Sequence, residues 1–136
     1  MIQDLRFMNG KQQNTKIKEF TDLVSWQESH KLVVNIYKLT KKFPKNEIFG
    51  LTSQMQRSAV SITSNIAEGF GRQRYKEKVQ FYYMSQGSLT ELKNQLLIAK
   101  DIGYIDQKEY NKIQEQLEIA HRLLQGLITK SKSFIN

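Results

Sequence analysis

The sequence predicts an all-α chain folded as an antiparallel up-down-up-down four-helix bundle. Four long stretches repeat apolar residues at spacings of three and four, the period of one helix face. One Pro and seven Gly in 136 residues leave too little punctuation for many short strands. Short connections between the four stretches set consecutive helices side by side and antiparallel. The length is that of a single domain with one core. It divides into a flexible N-terminal arm (1–20), the bundle (21–132) and a C-terminal tail (133–136).

The arm shows no sustained period. Thr21 and Asp22 are suited to N-cap the first helix, and Ser25 to Glu28 reads as a second capping box. The first helix carries two adjacent stripes, one of Trp26, His30, Val33, Tyr37 and Thr40, the other of Leu32, Ile36, Leu39 and Phe43. Pro44 ends it, because the residue before proline is pushed out of the α region. A second helix is expected over about Glu47–Ala67, with Ile48, Leu51, Met55, Ala59, Ile62 and Ile66 inward. Ser53, Ser58, Ser61 and Ser64 allow close approach of neighbours, and Gly69 and Gly71 are expected to close this helix in a left-handed cap. The third spans about Tyr75–Ile102 on a seam of Tyr82, Leu89, Leu92, Leu96 and Ala99, and Gly103 stops it. Asp106 and Glu109 form the capping box of the fourth, whose Tyr110, Ile113, Leu117, Ala120, Leu124 and Leu127 alternate in steps of three and four.

Composition excludes several classes. Hydrophobic residues make up 39% and charged residues 25%, with a mean hydropathy of −0.56, a globular balance. The absence of Cys rules out disulfides, thiolate metal sites and Cys nucleophiles, and it suits a reducing, cytoplasmic setting. The start of the sequence has no apolar core of a secretion signal, and no apolar run is long enough to span a membrane.

No catalytic, cofactor-binding or metal constellation emerges, so the expected protein is not an enzyme. The two histidines, His30 and His121, form no i,i+4 pair, and there is no phosphate-binding glycine loop or nucleophile elbow. Glu118 and His121 make one Glu-x-x-His motif, whereas bundle di-iron sites need two and further inward carboxylates. Asn65 and Glu68 read as a structural hydrogen-bond cluster with Ser88 or tyrosines of the third helix. Phe81, Tyr82 and Tyr83 read as core plus interface rather than as a base-stacking platform.

Charge is the informative property. The net charge is +8, and residues 22–136 alone hold 17 Lys+Arg against 11 Asp+Glu, a net +6. A folded part this basic points to a polyanionic partner. Lys38, Lys41, Lys42 and Lys45 surround the end of the first helix, where cations complement the helix dipole. Arg72, Arg74, Lys76 and Lys78 gather instead at the start of the third, where the dipole is already positive. Cations and free N–H groups together make that end a candidate phosphate site, so these four are the expected nucleic-acid-binding residues.

The segment Gly50-Leu-Thr-Ser-Gln-Met-Gln-Arg57-Ser-Ala-Val-Ser-Ile-Thr63-Ser-Asn65-Ile-Ala-Glu68-Gly69 resembles the signature of the S23 proteins, or 23S rRNA intervening-sequence proteins. Asp22-Leu-Val-Ser-Trp26, Lys41-Lys-Phe-Pro44, Gly87-Ser-Leu-Thr-Glu91-Leu and Gln95-Leu-Leu-Ile-Ala99-Lys-Asp-Ile-Gly103-Tyr extend the likeness over about residues 20–131. Thr63 stands where that family usually has Pro, Arg74 where it often has Ser, and Lys93 where an acid is common. The resemblance implies a non-catalytic four-helix bundle, typically a homopentamer with a basic surface, of the same fold family as the accessory variability protein of diversity-generating retroelements. The expectation is therefore an oligomeric bundle that binds RNA or DNA backbone with little sequence preference and needs no cofactor. The alternative is a protein-interaction scaffold, such as an accessory subunit of a reverse transcriptase.

Overall fold

The computed structural model describes residues 16–136. Residues 1–15, most of the segment read as an arm, lie outside the described residues. Its remainder packs on the bundle: Ile17 lies against the core, and the Phe20 ring meets Trp26 edge-on at 5.5 Å. The four main helices are α1 (Val24–Thr40), α2 (Leu51–Phe70), α3 (Tyr75–Asp101) and α4 (Gln107–Lys132), with 3-10 turns at Phe20–Asp22 and Lys45–Glu47. Among the described residues there is no strand, and no helix is long and apolar enough to cross a membrane.

Hydrogen bonds between helices give their direction. From α2 to α3, Ser58 meets Glu91, Ser61 meets Ser88, and the Ile62 carbonyl meets Ser85, so one register rises as the other falls. From α3 to α4, Gln86 pairs with Gln125 and Lys93 with Glu118, again in opposite sense. Each helix packs on its sequence neighbours, and α1 closes the ring on α4. The core between them holds Leu32, Ile36, Met55, Ile62, Ile66, Leu89, Leu92, Leu96, Leu117 and Leu124, all essentially inaccessible to water.

The helix starts depart from the sequence reading. Asp22 does not cap α1; it closes a capping box with Glu19 around the first 3-10 turn, taking the Lys18 and Glu19 N–H groups at 3.0 Å. Helix α1 then begins behind Leu23 with no side-chain cap, and Ser25 is buried instead of capping. Leu32, Ile36 and Leu39 of its face and Phe43 just beyond its end are inside, while His30 and Tyr37 of the companion stripe are exposed. Helix α2 starts at Leu51, because Pro44 leads into a 3-10 turn, and this leaves Ile48 exposed.

Neither glycine at the end of α2 is left-handed. Gly71 ends the helix at φ −74°, and Gly69 lies inside it, where a Cβ would come within 2.7 Å of the Tyr82 ring. Its function is close approach of α3. Among the described residues the left-handed glycine is Gly103 (φ 86°), where the Tyr104 and Gly103 N–H groups return to the carbonyls of Ala99 and Lys100 and terminate α3.

Candidate nucleic-acid interface

The bundle has two ends, and each contains two helix N-termini whose first N–H groups lack intrahelical partners. At the end with the α1–α2 and α3–α4 connections, carboxylates meet those groups. Asp106 Oδ1 accepts from the Glu109 N–H at 2.8 Å, and Glu109 Oε1 accepts from the Asp106 N–H at 3.0 Å. Glu47 Oε1 accepts from the Leu51 N–H at 3.0 Å, and its Oε2 accepts from the Tyr104 hydroxyl at 2.5 Å. The tyrosine bond, with help from the Leu51 N–H, holds the Glu47 carboxyl below the usual range and raises Tyr104 in return. Lys42 is ion-paired to Glu109, so that part of the α1 lysine group is neutralised.

The opposite end holds the start of α1, the α2–α3 turn and the last turn of α4. Tyr75 and Phe134, ring to ring at 4.9 Å, join the first and last of the α3–α4 hairpin there. Arg74 is the N-cap of α3 and makes no capping bond; Glu77 is the single acid of the first turn. Arg72, Arg74 and Lys76 are exposed, and none forms an ion pair among the described residues. The Arg72 guanidinium lies 4.6 Å over the Phe81 ring, a stack that orients its fork without using its N–H groups.

Lys78 differs from these three. Its ammonium is half-buried and donates to the Phe70 carbonyl at 2.6 Å, closing the C-terminal end of α2. Partial burial lowers its pKa from the ordinary lysine value. The exposed cluster is therefore Arg72, Arg74 and Lys76, with Lys78 turned inward beneath it. Lys130 and Lys132 join the same end from α4, Lys132 lying 3.2 Å from the Tyr83 hydroxyl. Distance along the chain separates these two from the cluster, and the antiparallel topology is the signal that joins them.

The other singled-out residues have structural partners or lie at the surface. Asn65 donates to the Ser61 carbonyl and hydroxyl at 2.9 and 3.1 Å, and Ser88 donates to the same hydroxyl at 2.8 Å. The polar cluster thus runs through Ser61, and Glu68 stands outside it, exposed. Tyr82 is core, Phe81 lies under Arg72, and Tyr83 is at the surface. Glu118 is paired with Lys93 at 2.8 Å, which lowers its pKa. Among the described residues no group of three or more His, Asp or Glu converges as a metal site would.

Residues 21–126 match the family model described as 23S rRNA-intervening sequence protein. The chain is also similar to a solved structure from Bacteroides thetaiotaomicron, described as a protein with unknown function from the S23 ribosomal protein family. The two share 23% identity with a TM-score of 0.73 over 78% of this chain and 96% of that one, a likeness of fold. No curated protein matches the sequence.

Proposed function

Because the chain belongs to the 23S rRNA-intervening sequence protein family, we propose that it is a non-catalytic, cytoplasmic bundle that binds RNA or DNA through the phosphate backbone with little sequence preference. The observation that carries this is the exposed, unpaired trio Arg72, Arg74 and Lys76 around an uncapped helix N-terminus. Cations there cost folding energy, since the helix dipole repels them, and a phosphate bound at the N–H groups would offset that cost. The net charge of +8 adds a long-range attraction for any polyanion.

Binding isotherms on RNA and duplex DNA between 50 and 300 mM salt test the reading. Affinity falls steeply with salt. R72Q/R74Q/K76Q flattens the log–log slope by about 2–3, since each phosphate left unneutralised removes roughly 0.7–0.9. A triple variant indistinguishable from the parent, with binding insensitive to salt, would return the protein to the scaffold reading.

The second part of the proposal is self-assembly, as the homopentamer the family resemblance implies. Val60 on α2 and Met84, Leu97 and Ile98 on α3 are exposed large apolar side chains that a second copy, or a reverse transcriptase in the accessory-subunit reading, would cover. Light scattering at micromolar concentration reports an oligomer if this holds, and a monomer removes it.

A further inference from the structure

Beside the exposed cations a pocket of about 320 Å³ opens between the start of α1, the end of α2, the start of α3 and the last turn of α4. That volume is at the lower end of the range of small-ligand sites. Phe70, Tyr75, Tyr82 and Phe134 line it together with aliphatic side chains, and Lys78 and Lys130 reach it as well. Tyr75 and Phe134 are 39% and 49% exposed, whereas Tyr82 is 2% exposed. An aromatic mouth thus leads to a buried phenol.

Tyr82 is the unusual member. Its ring sits against Gly69, the position where α2 is thinned to receive it. Its hydroxyl has no hydrogen-bond partner among the described residues and is not sealed from solvent, and the residue lines the pocket. Phe would fill the same space against Gly69, so what Tyr adds is a hydroxyl donor at the pocket. Burial holds that hydroxyl protonated far above neutral pH, which keeps it a donor. The lysines keep N–H donors in hand. Lys78 gives one N–H to the Phe70 carbonyl and lies 5.2 and 5.7 Å from the Phe70 and Tyr75 rings, leaving two N–H groups without an acceptor, and Lys130 lies 5.3 Å from the Phe134 ring. Neither is ion-paired among the described residues.

Aromatic faces combined with N–H and O–H donors, and no carboxylate lining the pocket, suit a planar ring whose edge carries acceptors. Nucleobases have such edges in their carbonyl oxygens and ring nitrogens, and unstacked bases bind on aromatic side chains. Position along the chain adds the connection, since Tyr75 at the mouth lies between Arg74 and Lys76. We propose that this pocket receives one unpaired base of the strand whose phosphates meet Arg72, Arg74 and Lys76, so that the protein prefers single strands to duplexes. The inference rests on the phosphate-binding reading and adds to it the state of the nucleic acid. A stacked, paired base cannot enter a pocket at the end of the bundle, but a splayed base can.

The experiment uses the full chain and three probes of equal length: a single-stranded RNA 12-mer, its duplex, and a strand with the same backbone and no bases. The single strand binds about 5- to 150-fold more tightly than the baseless strand, the range one base–aromatic stack supplies. Y75A/F134A, at the exposed mouth, lowers single-strand affinity toward the baseless level without changing the salt slope. Y82F, which keeps the ring on Gly69, gives a smaller loss on the single strand and none on the baseless one. Equal affinity for the single and baseless strands overturns the pocket while a steep salt slope preserves the phosphate reading. A base preference with a flat slope does the reverse, and failure to bind any probe overturns both.

Discussion

The two ends of this bundle solve the same problem in opposite ways. Each presents two helix N-termini with unpaired N–H groups. At the connection end, Glu47 meets the start of α2, and Asp106 with Glu109 meets the start of α4. At the other end, α3 starts behind Arg74 with no side-chain cap and with Arg72 and Lys76 beside it. One end is electrostatically closed at both helix starts, whereas at the other the Glu19–Asp22 box precedes α1 and the α3 start is left open to an anion. Stability alone does not explain the second arrangement, because a carboxylate or hydroxyl at residue 74 would satisfy a backbone N–H that Arg74 leaves free. The contrast separates residues retained for folding from residues retained for a partner.

The largest expected change in stability comes from the binding end. Gly69→Ala drives a Cβ into the Tyr82 ring and destabilises by about 1–3 kcal/mol, read as a lowered urea midpoint. A wild-type midpoint would mean that α2 and α3 can separate at no cost, and Tyr82 would then lose its seat. Next in size, Asp106→Ala removes the capping box of α4 and costs about 1 kcal/mol, with nucleic-acid affinity unchanged. A loss of affinity in that variant would make the connection end part of the interface.

Arg74→Asp sharpens the comparison further, since it builds on the open end the cap that the closed end already has. Thermal melting rises, reflecting a gain of about 0.5–1 kcal/mol, while phosphate binding weakens. A variant that is less stable and binds as before would show that Arg74 serves the fold. The smallest effect is on acid stability. The Glu47 carboxyl is held below the usual carboxylate range, so its contribution is complete above that range and is lost as pH falls through the lowered value. Glu47→Gln therefore gives a shallower acid transition at the foot of the pH curve, and an unchanged curve removes Glu47 as a cap.

Elements whose signals are local can be read in advance. The seam of α3, the capping box at Asp106 and the stop at Gly103 all stand where their residues predict, because each depends on neighbours within about one helical turn. The start of α1 does not, since Asp22 has two competing sets of backbone partners and takes the preceding turn. Gly69 carries a turn signal by residue type, yet its reason for being glycine is the ring of Tyr82, thirteen positions away in the numbering and on another helix. Asn65 and Ser88 are recognisable as polar residues needing partners, but Ser61 as the shared one requires the α2–α3 register.

The helical class, the order of four elements, the basic charge and the grouping of Arg72, Arg74 and Lys76 all follow from the chain read residue by residue. Periodicity, capping and charge beside one turn are properties of adjacent residues and survive without knowledge of the fold. Three other outcomes needed the packed helices: Lys78 turns inward to the Phe70 carbonyl, Lys130 arrives beside it from α4, and Tyr82 ends unpartnered in a pocket. They depend on which helices meet and at what register, and side-chain direction follows from the packed neighbours that burial imposes.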